Sequence, residues 1–428
     1  MLLILRVVAA IAAVLMLAAI LWDAFETVVL PRRVSRRFRL ARVYFRSTWR
    51  VWKALARRVP SLERRETALA IYGPLALLLL LALWVFLLIV GYGLLLWGLG
   101  SPVAVAGGAA PSFGSDLYFS GTTFLTLGLG DVFPHAGPAR GVVVVEVGTG
   151  FGMLALVIGY LPVLYQAFSR REMRISLLDA HAGSPPTAGA LLLRHPPDHR
   201  ARRLTAILAD WEGWSAELLE THLSYPVLAY YRSQHEDQSW VAALAMILDA
   251  CALVLACDRS RIGGDERAEL AEQAAFTFAI ARHAAVDLAQ VFRTPAMRSR
   301  MAPAAAQSDG RLPPADRARL REVLAAIGVG SGAGGTSAGM RAGRSDQVEE
   351  VESWLDELRA LYEPYLEGLA AFLLMALPPW IPARDALDDW QTTADGVTAP
   401  SVVALVMKNE PRWPSVAHGP QQIGSNSD

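Results

Sequence analysis

DLYFSGTTFLTLGLGDVF, Asp116 to Phe133, lies between two long apolar segments, roughly Ala70–Trp97 and Gly141–Phe168. Its first part, about Ser115 to Leu125, reads as one short amphipathic helix. Its second part, Thr126-Leu127-Gly128-Leu129-Gly130-Asp131, has glycine at every second place. Left-handed backbone is freely open only to glycine. A strand that is left-handed at alternate residues turns successive carbonyls to one side. The Thr126 hydroxyl adds an oxygen at one end of that row, and Leu127 and Leu129 point away, to pack against the short helix. Read alone, Gly-Leu-Gly-Asp is an ordinary turn between helices. Between two segments of spanning length it has another meaning, because irregular backbone is tolerated at membrane depth only where it lines a wet pathway.

The order of apolar helix, short helix, glycine-rich strand and apolar helix resembles the pore unit of tetrameric potassium channels. The usual filter of that family reads T-V-G-Y-G-D; here it is T-L-G-L-G-D. The resemblance covers about residues 70–170. It implies that the oxygens of Thr126, Leu127, Gly128 and Leu129 replace the hydration shell of K+. It implies a pore helix whose negative dipole end favours a cation in the cavity. One loop per chain implies a homotetramer around the pore axis, with passive transport and no cofactor besides the permeant K+. Asp131 is implied to concentrate cations at the outer mouth or to brace the filter. Two departures bear on selectivity. Leu129 replaces an aromatic that often hydrogen-bonds the pore helix, although some two-pore-domain potassium channels share the GLG variant. Tyr118 and Phe119 stand where many relatives carry tryptophan, and Thr122 where some carry a buried Glu. A nonselective or sodium-permeable cation channel is therefore the alternative within the class. A non-conducting membrane-anchored sensor or scaffold is the alternative outside it.

The segment Gly141–Phe168 reads as the pore-lining helix. Glu146 is a carboxylate inside a membrane span, costly unless functional or paired. About one turn before Gly150, it is expected to reach the back of the pore helix near Thr122 or Thr123, or else to pair with Arg140. Gly150 is placed as a gating hinge or as a close-packing site. Pro162 removes a backbone bond and is expected to kink the helix near its inner end. Arg170, Arg171 and Arg174 then mark the cytoplasmic side.

The rest of the chain is read around this unit. Leu2 to about Trp22 is a first segment of spanning length, read as an uncleaved helix rather than a signal peptide. Residues 1–65 carry 14 Lys/Arg against 3 Asp/Glu, and the remainder 26 against 37. The positive flank follows the first span, which puts the N-terminus outside and Pro31 onward in the cytoplasm. Arg32–Arg58 holds eleven basic residues and no acid. Arg33, Arg36, Arg39 and Arg42 have the spacing of a voltage-sensing helix, but only one helix precedes them. Phe38, Tyr44, Phe45, Trp49 and Trp52 favour a helix in the inner interface, facing anionic headgroups.

From about Ile175 the chain has soluble character and helical periodicity. The alternating strands of a nucleotide-binding domain are missing, and Gly330–Gly335 matches a glycine fingerprint by letters only, with no strand before it. His195 and His199 have Pro196-Pro197 between them, which prevents a shared metal. Cys251 and Cys257 read as buried reduced thiols. Glu220, His222, Tyr230, Tyr231, Arg232, His235 and Trp240 form a polar-aromatic cluster, either a ligand pocket or a helix contact. No nucleophile–base pair supports an enzyme, and nothing points to nucleic acid.

The expected protein is all-α and multi-pass in the inner membrane of a bacterium, the last from its Ala-, Arg- and Gly-rich composition. An N-terminal transmembrane helix (1–30) precedes a basic interfacial segment (31–65) and the pore domain (66–174). A helical cytoplasmic domain of unknown ligand (175–407) follows, with a flexible linker near 328–343 and a disordered tail at 408–428.

Overall fold

The computed structural model describes residues 1–30, 39–135, 137–183, 186–195, 199–233, 238–259, 265–294, 310–326 and 337–381. The protein is an all-α membrane protein, with four helices long and apolar enough to cross a bilayer. Two compact units divide the chain. The first holds Met1–Arg170 and Glu220–Arg232, and the second Arg171–Leu219 and Ser233–Asp428.

In the first unit, α1 (Leu2–Val28) packs along α3 (Leu62–Gly98). Glycines set the closeness. A Cβ on Gly98 would lie 2.7 Å from the Ala10 backbone nitrogen, and one on Gly91 2.7 Å from the Leu17 side chain. Such small-residue contacts are how helices approach without a hydrophobic drive between them. The buried Asp23 pins the pair: its carboxylate accepts from Trp84 Nε1 at 3.1 Å and from the Ala41 backbone N–H at 3.1 Å. Asp23 thus satisfies an orphan N–H in the first turn of α2 (Leu40–Ala56), which has no capping side chain of its own.

In α2 one face is apolar and the other basic. Trp49 is buried, Trp52 Nε1 donates to the Ala68 carbonyl at 3.0 Å, and Arg42, Arg50, Arg57 and Arg58 are exposed. The voltage-sensor spacing does not run along this helix. Arg33 and Arg36 lie outside the described residues, and Arg39 precedes the helix and donates to the Glu26 carbonyl at 3.1 Å.

Ser61 caps α3, accepting from the Arg64 backbone N–H. Beyond α3 lies a two-stranded sheet: β1 (Val103–Val105) pairs antiparallel with β2 (Val132–Pro134), Ala104 opposite Phe133. The pore helix α4 (Phe113–Phe124) lies between them in sequence, and α5 (Gly137–Ala182) follows.

The second unit is a helical bundle. It contains α6 (Ala188–Arg194), most of α7 (Arg200–Ser224), α8 (Trp240–Arg259), α9 (Asp265–Phe292), α10 (Pro314–Ala326), α11 (Ser337–Ala360) and α12 (Glu363–Leu373). Although α8 is apolar enough to span a membrane, 83% of that window is buried, so it is the bundle's core helix. Burial pushes the Cys251 thiol up, and holds Cys257 at about 12, which keeps both as unreactive thiols.

Two expected boundaries change. Residues 220–232, expected within the 175–407 domain, belong to the first unit, because Tyr225, Tyr230 and Tyr231 pack into its aromatic core. Helix α11 begins at Ser337, within the stretch read as a linker; residues 328–336 and the tail 408–428 lie outside the described residues.

The second unit also carries a pH dependence. His195 is buried, and among the described residues neither ring nitrogen has a hydrogen-bond partner. Burial, then His181, Arg203, Arg200 and Arg194, lower its pKa from 6.5 to about 4. The unfolded chain takes up the proton near pH 6.5 and the folded unit refuses it until about pH 4, so stability falls as pH drops through that window. The loss attributable to His195 is about 2–3 kcal/mol by pH 4.5. Melting from pH 7 to 4.5 should show a smaller drop for His195→Leu than for the native chain; equal slopes would rule this out.

Candidate functional site: pore helix, filter and inner helix

A capping box starts α4. Ser112 Oγ accepts from the Ser115 N–H at 3.3 Å, and Ser115 Oγ accepts from the Ser112 N–H at 2.7 Å. Asp116 in the first turn is fully buried and accepts from Ser101 Oγ at 2.6 Å. Asp116, Ser120 and Phe124 recur every four residues and form a buried row along the helix.

Past the helix the chain turns back on its own end. The Thr126 N–H donates to the Thr123 carbonyl at 3.0 Å, and the Leu127 N–H to the Thr122 carbonyl at 2.7 Å. Thr126, Gly128 and Gly130 then have φ of +58°, +56° and +78°, whereas Leu127 and Leu129 do not have positive φ. The backbone is therefore left-handed at every second residue. For Thr126 this costs about 1–2 kcal/mol, and strain of this kind concentrates at functional sites. The outer end is tied down through the backbone: the Asp131 carbonyl accepts from the Ala106 N–H at 2.7 Å.

Several expectations are corrected in detail. The partner of Glu146 is Ser120, not Thr122 or Thr123: Ser120 Oγ, with one proton to give, lies within hydrogen-bond distance of both the Glu146 carboxyl and, at 2.8 Å, the Ile89 carbonyl. Thr122 lies two residues on, about 200° around the helix, and its hydroxyl donates to the Phe119 carbonyl at 3.0 Å. Thr122 and Thr123 meet the filter through their carbonyls instead. Glu146 is fully buried and has no ion pair with Arg140 among the described residues.

Leu127 and Leu129 do not pack on their own pore helix, being 60% and 63% exposed in the single chain. Gly150 has a packing reason, since a Cβ there would lie 2.4 Å from the Phe124 carbonyl oxygen. The inner helix runs unbroken through Gly150 and Pro162. A further pin, Tyr92 Oη to Thr149 Oγ1 at 2.7 Å, joins α3 to α5. Ser120, Ser101 and the β1–β2 ladder were not singled out from sequence. The four-residue row Asp116-Ser120-Phe124 was the available signal for Ser120. Val103-Ala104-Val105 was the signal for the strand.

Residues 76–166 match the family model described as "Ion channel". Over those residues the chain is similar to the two-transmembrane pore-loop ion channel family. An uncharacterized membrane protein, YdjJ of Bacillus subtilis (strain 168), is 27% identical over 207 residues, 48% of this chain. The chain spans 58% of the length of that curated relative. No solved structure matches the chain.

Glu146 gives a test inside the channel segment. Glutamine keeps a polar group against Ser120 and should leave the K+/Na+ permeability ratio within about twofold. Alanine removes the contact and leaves a void, and should lower the ratio about fivefold or more, the scale of one buried hydrogen bond. Equal ratios in bi-ionic recordings of both variants would deny Glu146 any part in holding the filter.

Proposed function

We propose that the protein is a homotetrameric, potassium-selective channel that conducts K+ passively through Thr126–Gly130. The observation that carries this reading is the alternation of left-handed backbone at Thr126, Gly128 and Gly130. Such a strand presents a column of carbonyl oxygens, which compensates an ion for its lost water at little reorganisation cost. Ions sit at the oxygens of Thr126, Leu127, Gly128 and Leu129, with Asp131 at the outer mouth. Glu146 acts through Ser120, and the Thr122 and Thr123 carbonyls support the strand's start. Gly150 serves packing against Phe124, and Pro162 marks the mobile inner end.

Four copies are needed because one strand supplies only one wall. Exposed Leu125, Leu127, Leu129, Val144, Val145 and Phe151 supply apolar surface for the contacts between them. The chain sits in the inner membrane with its N-terminus outside. The exposed arginines of α2 meet anionic headgroups, and the helical bundle regulates or assembles the pore from the cytoplasm.

The test is a reversal potential for purified protein in liposomes under a potassium-against-sodium gradient. A value near the potassium equilibrium potential supports the reading. A value near zero replaces it by a nonselective pore, which Leu129 favours because it cannot make the hydrogen bond of an aromatic at that place. Absence of current with the tetramer intact favours a silent scaffold.

A further inference from the structure

Residues 220–232 follow 49 residues of the second unit and precede the rest of it, yet they are part of the first unit. Their conformation is a short 3-10 turn, Pro226–Tyr230, with Val227 and Leu228 buried among α3 and α5 residues. Tyr225 meets Tyr160 edge-on at 5.6 Å, and Tyr231 meets Phe168 at 5.5 Å. These two α5 residues bracket Pro162. On the other side Tyr230 packs on Trp49 of α2 at 5.1 Å and on Tyr72 of α3 at 5.3 Å. The Tyr231 ring fills the notch at Gly73, where a Cβ would lie 2.8 Å from it. Arg232 closes the segment with an ion pair to Glu66 at 2.9 Å.

We propose that Tyr225–Arg232 is a wedge that positions the inner end of the pore-lining helix and so sets the gate. The inference rests on the channel reading. The α5 face that meets this cluster, Tyr160, Leu164 and Ala167, is buried, while Ile158 and Tyr165 on the far side are exposed. In a ring of four, the exposed side is the one left for the axis and the neighbouring copies. The wedge then occupies the space behind the helix, into which its inner end must move to widen the pore. Pro162 weakens the helix at the same level by removing one backbone bond. Because the chain runs from the second unit through the wedge and back, displacement of that unit is transmitted covalently to both ends of the wedge. The wedge therefore holds the gate closed until it is withdrawn.

The experiment uses the full chain in liposomes, with Tyr231→Ala, Arg232→Glu, and the charge swap Glu66→Arg with Arg232→Glu. Each single variant is expected to raise open probability about tenfold, with reversal potential and unitary conductance unchanged and the tetramer intact. The swap should return open probability towards the native value, which a merely structural defect would not do. Hydrogen exchange over residues 160–170 is read in parallel and should rise in the single variants and fall again in the swap. If the native protein conducts and the single variants leave open probability unchanged, the wedge is overturned. If neither the native protein nor the single variants pass current, the channel reading fails, and the exchange decides the wedge alone: a rise reversed by the swap supports it, no rise overturns it.

Discussion

Replacing Gly128 by alanine is expected to cut potassium flux into liposomes by at least about a hundredfold while the tetramer stays assembled. Gly128 has φ +56°, and a Cβ there meets nothing within 4 Å in its own chain. The substitution is therefore not a steric clash within the chain. Its cost is the left-handed conformation itself, about 1–2 kcal/mol for an L-residue with a side chain. In the proposed ring of four that cost is incurred four times, and a flip at any one copy withdraws a carbonyl from the column. The strand already carries one such strain at Thr126, which leaves less reserve. The measurement is potassium flux beside a crosslinking assay for assembly. Flux close to the native level would mean that conduction does not run through this strand.

Arg311→Ala is expected to destabilise the helical bundle by about 3–5 kcal/mol, the scale for breaking a buried ion pair from one side. Arg311 donates to both oxygens of Asp249, at 2.7 and 2.8 Å, and to Glu363 at 3.1 Å. Tyr362 Oη also donates to Asp249 at 2.7 Å, and Arg311 and Arg359 both lie over the Trp380 ring. Asp249 sits on the core helix α8 and is fully buried, so loss of Arg311 strands a carboxylate in an apolar core. For a unit of this size the melting temperature should drop by about 10 °C. Adding Asp249→Leu should recover part of the loss, because the stranded charge goes with it. A single variant melting within a degree or two of the native protein would show that the network contributes nothing.

The pore unit was readable because its constraints are local and severe. Two apolar spans, a short helix and alternating glycines leave few physical solutions, and the positive φ values at Gly128 and Gly130 follow from residue type. What the sequence hid was the choice among equals. Ser120, Thr122 and Thr123 all offer a hydroxyl to Glu146, and only the rotation of α4 against α3 and α5 selects Ser120. The β1–β2 ladder was missed because three-residue strands carry almost no periodic signal. The wedge was seen only in part: Tyr230, Tyr231 and Arg232 stood out as a polar-aromatic cluster, but not what they pack against. Tyr225, Tyr230 and Tyr231 are more than fifty residues beyond Phe168, and their partners Trp49 and Tyr72 lie on helices that give no sequence sign of an unfilled notch.

The tie between Asp23 and Trp84 sets an order of events during biosynthesis. Asp23 precedes its partner by 61 residues, so when the first helix leaves the ribosome its carboxylate has nothing to bond. An unpaired acid in the last turns of an apolar helix weakens its hold on a bilayer. The first helix should therefore wait at the insertion machinery until the next apolar helix emerges and enter the lipid with it as a hairpin, its glycine notches already filled. Truncating the nascent chain before Trp84 should leave the first helix extractable from membranes, and truncating beyond Gly98 should not.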